Sequence, residues 1–241
     1  MNDRHRVFIE KEAAARAAGA YLLGCLRDVL ETRDIATCAL SGGSTPALMF
    51  RYLAGQEFPW VRVHFFWVDE RCVPPHHEES NFGVTKAALL DRLGISDEQI
   101  HRIEGEREPA DAAGRYAREI REFFDLSAGQ MPSFDVLHLG MGADAHTASL
   151  FPGAELISDR SGIAASIYVP ARSAYRVTLL PGAILGARRV FFLVTGQDKQ
   201  AASRAVIGGP YEPVLRPAQL FDREARDVVW FLDRSAAPAE H

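Results

Sequence analysis

The sequence is poor in cysteine. It has three, Cys25, Cys38 and Cys72, an odd number with no C-x-x-C pair. A disulfide framework and a cysteine zinc site are therefore not expected, and scattered thiols suit a reducing compartment. No run of about 18 apolar residues occurs, so no transmembrane helix is expected. The opening stretch, MNDRHRVFIEKEAAARAAG, lacks the apolar core of a secretory signal. These absences point to a cytoplasmic protein without a membrane partner. Basic residues are in the minority too: 27 Lys and Arg against 32 Asp and Glu leave a net charge of −5. A general nucleic-acid binder needs a basic face for phosphates, so no nucleic-acid partner is expected. A small anionic ligand needs only local basic groups. Repeats, low-complexity linkers, a Walker A loop and a G-x-S-x-G nucleophile elbow are all missing.

What is present reads as an ordinary globular chain. Hydrophobic residues make up 47% and charged residues 24%, enough for a sizeable core under a solvated surface. A length of 241 residues suits one large domain or two small ones. We expect one α/β domain over 1–241, with a frayed tail at 235–241.

Strand-like and helix-like segments alternate. Helices are expected at 10–31, 45–54 (with Thr45 as cap), 80–93 (capped by Ser80 or Asn81), 109–126, 181–187 and 197–207. Strands are expected at 35–40, 61–68, 134–140, 175–180, 188–194 and 227–233. This alternation implies α/β, Rossmann-like architecture with a largely parallel sheet flanked by helices. Ligands in such sheets collect beyond the carboxyl ends of the strands. Four polar stretches follow strands: Ser41–Pro46, Asp69–Arg71, Gly140–His146 and Gly196–Lys199.

The first, SGGSTP, puts two glycines and two hydroxyls ahead of a helix start. Free amides and the positive helix end make an anion site, with a plain capped turn as the alternative. The second, WVDERCVPPHHEESNFG, puts Asp69, Glu70 and Arg71 directly behind a strand. Such groups solvate, pair or bind a ligand, because burying them unpaired is costly. Arg71 has the planar fork that matches phosphate oxygens. His76, His77, Glu78 and Glu79 read as a solvated face rather than a metal site.

The third stretch, GMGADAHTASLFPG, fits G-x-G-x-x-A through Gly140, Gly142 and Ala145, with Asp159 nineteen residues beyond Gly140. A dinucleotide turn needs a helix of useful length behind it, and Pro152 and Gly153 stop one early. The alternative is a polar turn presenting His146, whose imidazole takes protons near neutral pH, with Asp144 orienting it or holding substrate. His138, alternating within its strand, reads as a satisfied sheet residue. The fourth stretch places Lys199 at a helix start, unfavourable against the helix dipole unless an anion binds nearby. Arg176 opens a strand and can face the same site.

In this order, SGGSTP, VDERCVP…SNFG, GMGADAHTASLFPG, RVTL and TGQDK resemble the 6-phosphogluconolactonase family. The motifs span residues 41–199, and the flanking lengths fit essentially the whole chain. The resemblance implies the fold of the glucosamine-6-phosphate deaminase/ribose-5-phosphate isomerase type. It implies hydrolysis of a phosphorylated sugar lactone without metal or cofactor. His146 would be the general base, with Asp144 beside it. Gly42, Gly43, Ser44, Asp69, Arg71, Asn81, Arg176 and Lys199 would bind substrate, Arg71 and Lys199 at the phosphate. Oxyanion donors are expected from the Gly42–Gly43 amides. The oligomeric state, monomer or dimer, stays open.

Two positions depart from related patterns. The family motif has Asp-Gly-His where this chain has Ala145, which would be strained if φ is positive there. The deaminases carry a glutamate five residues past the histidine, and here that residue is Phe151. An amino-sugar phosphate deaminase or isomerase, a non-catalytic sugar-phosphate sensor and a nicotinamide oxidoreductase are the alternatives to lactone hydrolysis.

Overall fold

The computed structural model describes residues 4–238. The chain opens with β1 (His5–Phe8) and the twenty-residue α1 (Lys11–Leu30). Then come β2 (Ala36–Leu40), α2 (Ser44–Leu53), β3 (Val63–Trp67) and the short β4 (Asp69–Arg71). Next is one helix in three parts: α3 (Asn81–Thr85), a π-helical turn over Lys86–Leu90, and α4 (Asp91–Leu93). It stops at Gly94, whose left-handed conformation (φ 63°) ends it without a side-chain penalty. β5 (Ile100–His101), α5 (Pro109–Phe123), β6 (Val136–Leu139) and β7 (Ala164–Val169) follow. The chain closes with β8 (Ala174–Leu179), α6 (Pro181–Leu185), β9 (Val190–Val194), α7 (Gln200–Gly208), α8 (Ala218–Glu224) and β10 (Val228–Asp233).

Seven strands form one parallel sheet in the order β1-β10-β9-β6-β2-β3-β5. Strands β2, β6, β9 and β10 are buried at every residue, as expected where helices cover both faces. Their side chains, with Phe65, Phe66 and Trp67 of β3, supply the aromatic centre of the core. Trp230 stacks on Phe192 with ring centroids 4.0 Å apart.

A second, antiparallel sheet, β4-β8-β7, departs from the simple alternation. The strand expected at 61–68 does not stop there: at Val68 the chain changes sheets and continues as β4. Val68 donates to Leu40 O (2.9 Å), and its carbonyl accepts from Leu179 N (2.8 Å). The strand expected at 175–180 lies in this second sheet, next to β4. β1, β4 and β5 are too short to show in the pattern, and β7 was not expected from the sequence.

Two further expectations change. Thr45 does not cap α2; Gly43 holds the cap position, and Thr45 pairs its hydroxyl with that of Thr195 (2.8 Å). The tail does not fray over its whole length. Ala236 and Ala237 are buried, and both amides bond to the Asp233 carbonyl (3.2 and 3.0 Å). Residues 239–241 lie outside the described residues.

Candidate active site

At the carboxyl edge of the parallel sheet, beside the antiparallel one, lies a cavity of about 280 Å³. This is the small end of the range for metabolite pockets. It is floored by the loops after β2, β6 and β9 and walled by β4, β8 and the start of α3. Gly42, Gly43, Ser44, Asp69, Arg71, Asn81, His146, Arg176 and Lys199 all line it. Asp144 does not; it reaches the cavity only through His146.

The loop after β2 is fixed at its root by His138. Its Nδ1 accepts from Ser41 N (3.3 Å), and the Ser41 hydroxyl donates to the His138 carbonyl (3.0 Å). Since Nδ1 accepts, the proton sits on Nε2, and that buried atom has no partner among the described residues. The histidine expected to be satisfied is therefore only half satisfied. Burial pushes its pKa down to about 3, so it is neutral at physiological pH.

Gly42 must be glycine because a Cβ there would collide with the Asn81 side chain. α2 then begins without a side-chain cap, its first backbone bond running from Ala47 N to Gly43 O (3.1 Å). The amides of Ser44 and Thr45, ahead of that bond, have no intrahelical acceptor and sit at the positive end of the dipole. The Thr45–Thr195 hydroxyl pair ties this turn to the loop carrying Lys199. Lys199 Nζ pairs with Asp198 Oδ2 (2.9 Å), and this bond holds the exposed Asp198 carboxyl below its usual range.

On the opposite wall, Asp69 is buried and takes the Ser149 hydroxyl at Oδ2 (2.6 Å). Asn81 Nδ2 donates to its carbonyl (2.8 Å) and to Oδ1 (3.2 Å). Its closest cation is Arg176 (3.9 Å); Arg71 instead donates to the Glu79 carbonyl (2.5 Å). Arg71 and Arg176 face each other across the β4–β8 ladder. Like charges in that register repel. Burial works against the Arg176 charge as well, lowering its pKa. Two cations held together at a pocket wall suit an anionic guest.

Glu70, named with Asp69 and Arg71 behind the strand, pairs with its own neighbours. Its buried carboxylate accepts from Arg71 N (2.7 Å), Asn81 N (2.7 Å), Phe82 N (2.8 Å) and the Ser80 hydroxyl (3.0 Å). Desolvation raises its pKa, against the pull of these four donors. The Ser80 hydroxyl caps α3 as expected, accepting from Gly83 N (3.0 Å). Glu70 thus clamps β4 to the start of α3 and sets both Arg71 and Asn81. Sequence reasoning missed Ser149, the anchor of Asp69; its partner lies 80 residues away.

The loop after β6 turns tightly, with Ala145 N to Gly142 O (3.0 Å) and Gly142 N to His146 O (2.8 Å). Gly142 is glycine because the His146 ring and the Asp144 carboxylate pack directly over it. Ala145 has φ 65°, the left-handed conformation. Asp144 Oδ1 accepts from His146 Nδ1 (2.5 Å) and from His146 N (3.2 Å). Partial burial works to raise the Asp144 pKa, but the charge and hydrogen bonds of His146 leave it lowered. A carboxylate only accepts, so Nδ1 carries the proton and Nε2 offers its lone pair. The His146 ring lies on Phe151 (centroids 4.5 Å), whose ring also carries the Arg176 guanidinium (5.8 Å). His76, His77, Glu78 and Glu79 stay at the surface, and no three His, Cys, Asp or Glu side chains among the described residues converge on a metal-sized site.

Fold and pocket together define an α/β protein whose strand-end loops, open helix start and cationic wall suit an anionic ligand. Residues 9–230 match the family model described as glucosamine-6-phosphate isomerases/6-phosphogluconolactonase. A 6-phosphogluconolactonase of Treponema pallidum is 39% identical over 219 residues, 90% of each chain. The structure of a 6-phosphogluconolactonase from Thermotoga maritima superposes with a TM-score of 0.82 at 28% identity, over 95% of this chain and 100% of that one. A monomeric glucosamine-6-phosphate deaminase shares the fold, with a TM-score of 0.81 at 16% identity. The chain belongs to the glucosamine-6-phosphate isomerase/6-phosphogluconolactonase family.

Proposed function

We propose that this protein hydrolyses 6-phospho-D-glucono-1,5-lactone to 6-phospho-D-gluconate, with His146 as general base and no metal. The observation that carries the reading is the His146–Asp144 pair at the pocket edge. With Nδ1 bonded to Asp144 at 2.5 Å, Nε2 is the nitrogen free to take a proton from water. The relatives named as 6-phosphogluconolactonases support the substrate.

The phosphate is anchored by Lys199 and the open amides of Ser44 and Thr45, which the Thr45–Thr195 bond brings to one side. Arg176 lies over the Phe151 ring that packs on His146, and Arg71 is its partner across the β4–β8 ladder. In this reading both arginines serve the lactone end, whereas the sequence reading gave Arg71 to the phosphate. Water attacks C1 as its proton passes to His146 Nε2. The carbonyl electron pair moves onto oxygen, where the arginines and the Gly42–Gly43 amides supply positive potential. Collapse of the adduct breaks the bond from C1 to the ring oxygen, and protonated His146 returns its proton to that oxygen. Asp144 holds the ring in the required tautomer throughout. Asp69 is the one carboxylate among the described pocket-lining residues, and Phe151 stands where deaminases carry an acid, which favours ester hydrolysis over amine chemistry.

The test is lactone clearance timed against spontaneous hydrolysis, with the lactone generated enzymatically from glucose 6-phosphate. His146→Ala should lower turnover by about 10²–10⁴-fold. Near wild-type turnover would overturn the assignment. Dialysis against EDTA should leave the rate unchanged; loss that zinc restores would overturn the metal-free reading.

A further inference from the structure

Asp233 is the last residue of β10. Its carboxylate is nearly buried, with 7% exposure, and accepts Gly196 N on both oxygens (3.1 and 3.2 Å). It also accepts the Ser235 hydroxyl (2.9 Å) and Ala236 N (2.8 Å), so residues 233–237 fold back into a compact turn. That turn grips the next helix as well: Gln200 Nε2 donates to the Ala237 carbonyl (3.1 Å).

Gly196 is the pivot of the loop that carries Lys199. Its φ of 105° is open to glycine alone, and its carbonyl accepts from Lys199 N (3.0 Å). Thr195, one residue earlier, is tied to α2 by the Thr45 hydroxyl. The peptide preceding Lys199 is thus held from one side by the phosphate loop and from the other by the C-terminal turn. A lysine has a long, flexible stem, so where its ammonium acts depends on where the backbone holds its root.

We infer that Asp233 and the C-terminal turn are positioning elements for phosphate recognition, acting through the Gly196–Lys199 loop. This rests on the reading that Lys199 anchors the phosphate. Charge-assisted bonds from backbone N–H to a carboxylate are among the stronger ones available, and Gly196 N has no other hydrogen-bond acceptor among the described residues.

The experiment compares KM and kcat on 6-phosphogluconolactone and on unphosphorylated gluconolactone. Asp233→Ala should raise KM for the phosphorylated lactone on the order of tenfold, the equivalent of one charge-assisted hydrogen bond. The kcat values and the kinetics on gluconolactone should hold within about twofold. Asp233→Asn keeps an acceptor for Gly196 N and should recover most of the loss. Should Asp233→Ala not fold, Gln200→Ala removes the second grip, a single neutral bond from a half-buried side chain, and should raise the same KM about two- to threefold. A generic structural role would lower the melting temperature and leave the KM ratio of the two lactones unchanged; that result overturns the inference. Lys199→Met separates the two readings. If it leaves the ratio unchanged, the phosphate assignment itself fails. If it shifts the ratio while the Asp233 and Gln200 variants do not, only the positioning role fails.

Discussion

Ala145 occupies a left-handed position (φ 65°), yet its methyl group is buried in the core. The strain costs about 1–2 kcal/mol. Against it stand about 0.8 kcal/mol for the buried methyl and roughly 0.5–1 kcal/mol of backbone entropy that glycine would lose. Ala145→Gly should therefore be close to neutral, within about 1 kcal/mol in urea denaturation, and should not alter turnover. A gain above about 2 kcal/mol would show that the loop stores strain. Arg71 makes a second test at this scale. With Arg71 at the lactone end, as proposed, Arg71→Ala should lower kcat/KM on phosphorylated and unphosphorylated lactones alike. A loss confined to the phosphorylated substrate would return Arg71 to the phosphate. The lining residues were legible because glycines, a histidine and charges behind apolar strands are local signals. Glu70 showed only as a charge behind a strand, and Ser149 and Asp233 gave no such signal: the bonds that tie the three to Asn81, Asp69 and Gly196 span 11, 80 and 37 residues.

Among the elements, the junction of β4 with α3 is the most demanding. Four donors converge on Glu70, a carboxylate otherwise sealed from water. Glu70→Ala leaves them without an acceptor, and each buried orphan costs about 1–3 kcal/mol before relaxation. We expect a net destabilisation of about 2–4 kcal/mol by urea unfolding, with a fall in activity because Arg71 and Asn81 lose their mooring. A loss under about 1 kcal/mol would mean that α3 holds its place without the clamp. Glu70→Gln should recover only part, since its NH2 group must meet one pair of donors. The helix at 80–93 was readable from its serine cap and apolar spacing. The three-residue β4 was not, because its pairing with β8 depends on residues a hundred positions downstream.

For the molecule as a whole, burial of neutral histidines sets an acid limit. His138 titrates at 6.5 when free and near 3 in the fold. Below pH 6.5 the unfolded chain takes a proton that the folded chain refuses. Its contribution is thus intact above 6.5 and declines as pH falls toward 3, by up to about 1.4 kcal/mol per pH unit. His5 and His64, lowered chiefly by burial, act in the same direction. Urea midpoints between pH 7 and 4.5 should fall accordingly, and His138→Phe should flatten the slope by about one proton. An unchanged slope would mean that His138 is protonated in the native state.

The amino-acid order alone determined the alternating elements, the parallel sheet and the four strand-end loops that supply most pocket residues. Those properties rest on local periodicity, glycine conformation and helix starts, which act within a few residues. Only the tertiary structure decided that a second, antiparallel sheet walls the pocket, that the two arginines pair on it, and that the C-terminal turn grips the Lys199 loop. These depend on register and on buried hydrogen bonds between distant segments, and periodicity carries no information about either.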